Sequence, residues 1–367
     1  MPTFVPGLSL AAATYREAVR PILDTVFPGL VYSAALLGSG SEVLGYDTAR
    51  STDHDWGPRL LLFLHPTDAH GHARHITDVI AERIPRSVHG WSTNFSAPEP
   101  GGSTVLEPAG AGPINHRVEV VDLDAWLIAG LGVDPRNGMR ARDWLAIPGQ
   151  LLLEVTAGAV FHDGLGELAP IRAALAWYPD DVWRYLLACQ WRRIAQEEAF
   201  PGRCAEAGDD LGSRVVTARL VRDLMRLALL IERRYPPYSK WLGTAFARLR
   251  CAPRLQPLLA DALAAPVWPQ REDPLCRAYE ILARAHNELG LADPVEPTVR
   301  PFHDRPFRVL AADRLADTTH RAITDPEVSA LPPHIGGVDQ FVDNTDVLGA
   351  AGRARAVATA LHPPPPD

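Results

Sequence analysis

Gly38-Ser39, Asp53-His54-Asp55 and Glu119 are the residues whose types and spacing could do chemistry. If Asp53 and Asp55 open a strand, side chains two apart share a face, so the two carboxylates converge while His54 points away. In the run Asn115–Leu123, Arg117, Glu119 and Val121 fall on one face and Val118, Val120 and Asp122 on the other. A central strand there would present Glu119 to a cleft beside the aspartate pair. Three close carboxylates repel one another unless cations neutralise them. Magnesium combines a few carboxylates with substrate phosphates, and two such ions stabilise both oxygens of an in-line displacement at phosphorus. A hard divalent ion, Mg2+, is therefore the natural answer to such a carboxylate set, and a nucleoside triphosphate is the expected metal partner. Simpler readings stand beside this one. Asp53 and Asp55 also suit a polar turn with a capping aspartate, Glu119 suits an exposed charge on an edge strand, and Asp122 or Asp124 could supply the third carboxylate.

The turn Gly38-Ser39-Gly40-Ser41 lets backbone approach a phosphate, because glycine has no side chain, while the Ser39 hydroxyl and neighbouring N–H groups supply donors. No Gly-Lys-Ser/Thr follows, so this is not a P-loop.

These residues need elements to hold them. Apolar spacing predicts a helix over Leu8–Phe27, closed by Pro28-Gly29. Val31–Leu37 and Pro58–Leu64 read as strands flanking the Gly-Ser turn and the aspartates, with a helix over Ala69–Ile84 between the second strand and a possible third at Trp91–Phe95. Pro98–Pro113 is a Gly/Pro-rich excursion. Asn115–Leu123 is the clearest β-branched run, followed by a helical pattern to Gly130. From about Arg140 onward strands give way to long helical segments, Trp144–Ala157, Ile171–Phe200, Leu211–Tyr235, Lys240–Leu249 and Asp273–Leu289. The expected class is α+β: a sheet-containing part over 1–138, an all-α part over 139–295, and an extension over 296–367 whose Pro-rich end forms no packed element.

The chain has 367 residues, 47 % of them hydrophobic and 22 % charged, a globular composition that excludes fibrous and disordered classes. Its net charge of −8 supplies no broad electropositive footprint for duplex nucleic acid. Four cysteines at wide spacings suggest neither a zinc site nor a disulfide framework. The apolar runs fall far short of a membrane span of about 20 residues, and the expected location is the cytoplasm. Of 36 basic residues 35 are arginine, leaving one lysine, Lys240.

The string GSGSEVLGYDTARSTDHDWGP, Gly38 to Pro58, resembles the signature of the DNA-polymerase-beta-like nucleotidyltransferase superfamily, Gly-Ser, a spacer, then Asp-x-Asp, with a third carboxylate on a later strand as at Glu119. Gly132–Glu154 and Leu211–Gly243, the latter containing PYSKWLG, are similar to an uncharacterised bacterial branch of that superfamily, and the likeness runs to about Asp346. The spacer after Ser39 is a few residues longer than in the antibiotic-modifying members and carries Glu42 and Asp47. The resemblance implies a small mixed sheet flanked by helices, with a helical domain completing the nucleotide cleft, and two magnesium ions on Asp53, Asp55 and Glu119. It also implies transfer of a nucleoside monophosphate, AMP from ATP as the first case, to an acceptor hydroxyl with release of pyrophosphate. Gly38 and Ser39 would then bind the nucleotide with Lys240 and Tyr238 of the helical part, and Glu119 could act as general base. A nucleotide-binding sensor without turnover is the alternative.

His70, His72 and His75 form an HxHxxH pattern that reads as solvated imidazoles, with no Cys or carboxylate completing a set. Trp177, Tyr178, Trp183 and Trp191 read as core. Arg192, Arg193, Arg219, Arg222 and Arg226 read as a salt-bridged helix face, from which one or two could reach phosphate.

Overall fold

Leu60, Leu62 and Leu64 leave the second strand on one side and Leu61 and Phe63 on the other, and this alternation decides which face of the sheet is core and which carries the site. The computed structural model describes residues 2–98 and 102–363. Four strands, β1 (Ser33–Leu36), β2 (Arg59–Leu64), β3 (Arg117–Asp122) and β4 (Ala159–Asp163), form one mixed sheet in the order β3-β2-β1-β4. β2 runs parallel to β3, with Arg59 opposite Arg117 and Leu61 opposite Glu119, while β1 is antiparallel to β2 and to β4.

The even-numbered leucines of β2 pack with Leu10, Val19 and Leu23 of the N-terminal helix and with Ile76, Val79 and Ile80 of the helix Pro66–Arg83. That N-terminal helix, Gly7–Ala13 and Arg20–Val26, is continuous through a π-helical turn at Thr14–Val19. Truncating a buried leucine in such a layer to alanine costs about 2–5 kcal/mol. On the other face Phe63 meets the Trp126 ring edge-on at 5.1 Å, from the helix Leu123–Leu131, capped by Asp122 Oδ1 accepting from Ala125 N at 3.0 Å.

The chain divides into two compact units, Met1–Gly138 with Leu151–Ala176, and Met139–Gln150 with Trp177–Asp367. The leading segment of the first unit ends at Gly138, and 151–176 belongs with the sheet and supplies β4. Helices do not replace strands completely after Arg140. Gly158 and Gly164 bracket a five-residue strand too short to show a period, and it is tied to β1 by Ser33 Oγ donating to Asp163 Oδ1 at 2.7 Å. Burial tends to push the Asp163 carboxyl up, yet N–H donors from Ala169, Leu168 and Glu167 and the Ser33 hydroxyl hold it below its ordinary value. Two further expectations are corrected. Trp91–Phe95 is two separate two-residue pairings, Trp91–Ser92 with Ser87–Val88 and Asn94–Phe95 with Leu106–Glu107. The predicted helix Trp144–Ala157 breaks at Ile147-Pro148 into Ala141–Ala146 and Gly149–Thr156. Within the Pro98–Pro113 excursion residues 99–101, and within the Pro-rich end residues 364–367, lie outside the described residues.

In the second unit the helix Asp180–Glu197 packs against Asp210–Ile231 and Asp313–Arg321. The aromatic residues are core: Trp183 Nε1 donates to Leu230 O at 2.9 Å, and Trp177 and Tyr178 meet the Tyr235 ring at 4.9 and 5.0 Å. Residues 296–363 belong to this unit. All four cysteines are free thiols. Among the described residues no helix is long and apolar enough to cross a membrane.

Candidate functional site

The core takes the even positions of β2, so Arg59 and Leu61 face the other way, as do their register partners Arg117 and Glu119 on β3. These four, with Gly38, Ser39, Trp126 and Glu154, line an open cavity of about 350 Å³ that lies wholly in the first unit. The expected sharing of one face by Arg117 and Glu119 is observed. The expected central position of their strand is not, because β3 is the sheet edge and Glu119 is exposed there.

The Gly-Ser turn is built from three ties. Gly38 has φ +88°, a left-handed conformation open to glycine without steric cost, and its N–H donates to Glu154 O at 2.8 Å. The Ser39 carbonyl accepts from the Arg59 guanidinium. Arg59 Nε in turn donates to Glu42 Oε1 at 2.6 Å, and Glu42 is 2 % exposed. A Cβ on Gly40, at φ +141°, would lie 2.3 Å from Arg59 Nη2 and 2.7 Å from Glu42 Oε2, so only glycine leaves room for that ion pair. Asp47, the other acidic residue of the long spacer, accepts at Oδ2 from Gly7 N at 2.7 Å and from Trp56 Nε1 at 3.0 Å. Of the spacer residues that depart from the resembled pattern, Glu42 thus anchors the turn through Arg59 and Asp47 ties the N-terminal helix to Trp56, while Ser39 is exposed at the cavity.

Asp53 and Asp55 do not open a strand. Asp53 ends the 3-10 turn Ala49–Asp53, Asp55 has φ +49°, and β2 starts only at Arg59 after Gly57-Pro58, so strand alternation does not govern them. Asp53 Oδ1 lies 3.1 Å from His54 Nδ1, on a side chain 59 % exposed. Asp55 Oδ1 accepts from Thr104 N at 3.0 Å and Thr104 Oγ1 at 3.2 Å. Neither aspartate lines the cavity.

Arg117 occupies the space between the remaining carboxylates. Its guanidinium lies 3.2 Å from Glu119 Oε1 and 3.8 Å from Asp55 Oδ1, donates to Thr104 Oγ1 at 2.7 Å, and sits 5.9 Å over the Phe95 ring. Among the described residues no group of three His, Cys, Asp or Glu side chains could hold a metal ion. With Asp53 turned to His54 and a guanidinium between Asp55 and Glu119, the donors as arranged do not fit two ions. The positive charge that joins Asp55 to Glu119 is that of Arg117.

The sequence reading missed Arg59, Glu154 and Trp126 as cavity residues and Glu42 as an anchor. Arg59 carried a usable signal, since it stands one residue past Gly57-Pro58 and two before Leu61 on the site-facing alternation. Asp122 caps a helix, and Asp124 pairs with Arg136 at 2.5 Å together with Asp134. The other nucleotide-binding candidates lie in the second unit. Lys240 is exposed at the start of the helix Ser239–Ala247, its Nζ 5.0 Å over the Trp241 ring, and Tyr238 N donates to Gln150 Oε1 at 3.2 Å.

A family model described as a domain of unknown function, DUF4037, matches residues 144–242. That span contains Glu154, Tyr238 and Lys240 but not Ser39, Arg59 or Glu119. No curated protein sequence matches the chain significantly.

Proposed function

We propose that this chain is a nucleotidyltransferase that binds a nucleoside triphosphate, with ATP as the first candidate, and moves its nucleoside monophosphate to an acceptor hydroxyl. The observation that supports this reading most is the convergence of an exposed Gly38-Ser39 turn, the arginines Arg59 and Arg117 and the glutamates Glu119 and Glu154 on a single cavity of the first unit. The acceptor oxygen attacks the α-phosphorus and forms the new P–O bond. The bond to the β-phosphate oxygen breaks, pyrophosphate leaves, and the hydroxyl proton passes to Glu119 as general base. Arg59 and Arg117 supply charge-assisted donors to the phosphates, and Ser39 and the turn N–H groups bind them further. The apolar wall, Leu61 and Trp126 among it, suits a nucleobase or an apolar part of the acceptor. No step is assigned to magnesium, because its expected ligands are not gathered.

That same lack of a gathered carboxylate set favours a second reading, a nucleotide-binding sensor without turnover. Incubation with α-labelled ATP, magnesium chloride and a cell extract separates the two. Transfer of label with pyrophosphate release, lost in Glu119→Gln, supports the transferase. Saturable ATP binding with no label transferred in any extract leaves the sensor, and no ATP binding removes both.

A further inference from the structure

A second cavity, of about 380 Å³, lies wholly within the second unit, between the end of the helix Asp180–Glu197 and the segment 300–313. Its size falls in the range of small-molecule sites, about 300–1,000 Å³. Arg192 and Arg300 line it, and among the described residues neither side chain has an ion pair or a hydrogen bond. By contrast Arg193, next to Arg192 in the chain, pairs with Asp223 at 3.2 Å, and Arg219 of the helix Asp210–Ile231 pairs with Glu197 at 3.2 Å. The Arg300 Nε is buried with no partner, a state that folded proteins avoid unless a ligand or water supplies the acceptor.

The backbone of the wall is unusual too. His303 and Ala311 both line the cavity and both have left-handed φ, +53° and +56°, at a cost of about 1–3 kcal/mol for a residue with a side chain. The Ala311 turn is held by Glu198, 5 % exposed, whose oxygens accept from Leu310 N at 2.6 Å and Ala312 N at 3.0 Å. Phe302 adds a flat apolar surface, stacked on Phe307 with ring centres 5.5 Å apart. Asp313 is a further acidic group on the wall. The Glu198 carboxyl is pushed up to about 7 by burial, against its backbone donors, so it opposes an incoming anion less than an ionised carboxylate would.

We propose that this cavity binds a small molecule carrying an oxyanion, phosphate or carboxylate, on a flat apolar body, with Arg192 and Arg300 holding the anion and Phe302 facing the body. Titration calorimetry on the full chain with phenyl phosphate, benzoate and neutral benzyl alcohol tests this. Saturable binding of an anionic probe, weakened at least tenfold in Arg192→Gln and in Arg300→Gln but retained in Arg117→Gln, is expected; the tighter of the two anions names the group. In the unaltered protein the bound probe slows amide hydrogen exchange over residues 300–313, a readout independent of how the variants fold. Absence of saturable binding by both anions, equal binding of benzyl alcohol, or loss of binding in Arg117→Gln alone would overturn the assignment.

Discussion

Arg59 reaches across from β2 to the buried Glu42 at 2.6 Å, and through this pair the Ser39 carbonyl is fixed. Removing one partner of a buried ion pair leaves an uncompensated charge and costs about 3–5 kcal/mol. Glu42→Ala is expected to lose stability on that order in urea unfolding. Arg59→Met, which leaves the buried Glu42 carboxylate unpaired, is expected to lose stability on the same order and, with it, the ATP affinity of the turn.

Gly40→Ala places a Cβ against the same pair, so the guanidinium must move. ATP binding is expected to fall by an order of magnitude or more, about 1.4 kcal/mol, as read by calorimetry. Gly38→Ala meets nothing within 4 Å and pays only for its left-handed φ, about 1–3 kcal/mol, seen as a lower unfolding midpoint.

Glu119 and Arg117 are neighbours on one strand face with different assigned roles. Loss of a general base lowers turnover by about 10²–10⁴, so Glu119→Gln is expected to lower kcat while leaving ATP affinity within a few fold. Arg117→Gln is expected to act chiefly on ATP affinity. The check is a comparison of label-transfer rates with binding isotherms for the two variants.

Asp53 and Asp55 separate the family resemblance from the local geometry. Asp53 is exposed and touches only its neighbour and lies off the cavity, so Asp53→Ala is expected to keep both its melting temperature and its transfer activity. Asp55→Ala abandons two bonds from Thr104 and is expected to lose about 1–3 kcal/mol, measured by urea unfolding. Loss of transfer in a well-folded Asp53→Ala would return Asp53 to the site.

Two buried groups of the second unit, His286 and Glu198, shift in ways that oppose each other. His286 is 5 % exposed and lies 3.2 Å from Trp191 Nε1 and 3.0 Å from Thr319 Oγ1, and burial pulls it down to about 4. Between about pH 6.5 and 4 the unfolded chain takes up a proton there that the folded chain does not, so stability falls on acidification. Glu198 lies beside Asp313, Arg314 and Tyr279 and is pushed up to about 7. Between about pH 4.5 and 7 the folded chain keeps a proton that the unfolded chain has lost, so its contribution falls as pH rises, by about 3 kcal/mol in all. Near pH 5–6 the two slopes oppose each other. Glu198→Gln is expected to remove the second, so that stability measured by urea unfolding rises more steeply with pH up to about 6.5.

Much of the sheet was legible because β2 past Arg59 is a continuous run of large apolar residues and β3 is β-branched with a period of two. Arg117 and Glu119 were placed on one face by that period alone. The aspartate pair was misplaced for the same reason: alternation holds only inside a strand, and Gly57-Pro58 delays β2 until Arg59. β4 was hidden because Ala159–Asp163 is short and bracketed by glycines. The scaffold role of Glu42 and Asp47 could not be read, because each bonds a residue brought near only by folding, Arg59 in one case and Gly7 with Trp56 in the other.

Lys240 stands exposed above the Trp241 indole in a chain whose other basic residues are guanidinium groups. Guanidinium does not acylate under conditions that modify an ammonium in its free-base form. An amine-directed dye therefore has one side-chain target in this sequence, and the adjacent indole is a natural quencher for it. The start of the helix Ser239–Ala247 is thus a chemically addressable point, where a single fluorophore reports how tightly that first turn is held.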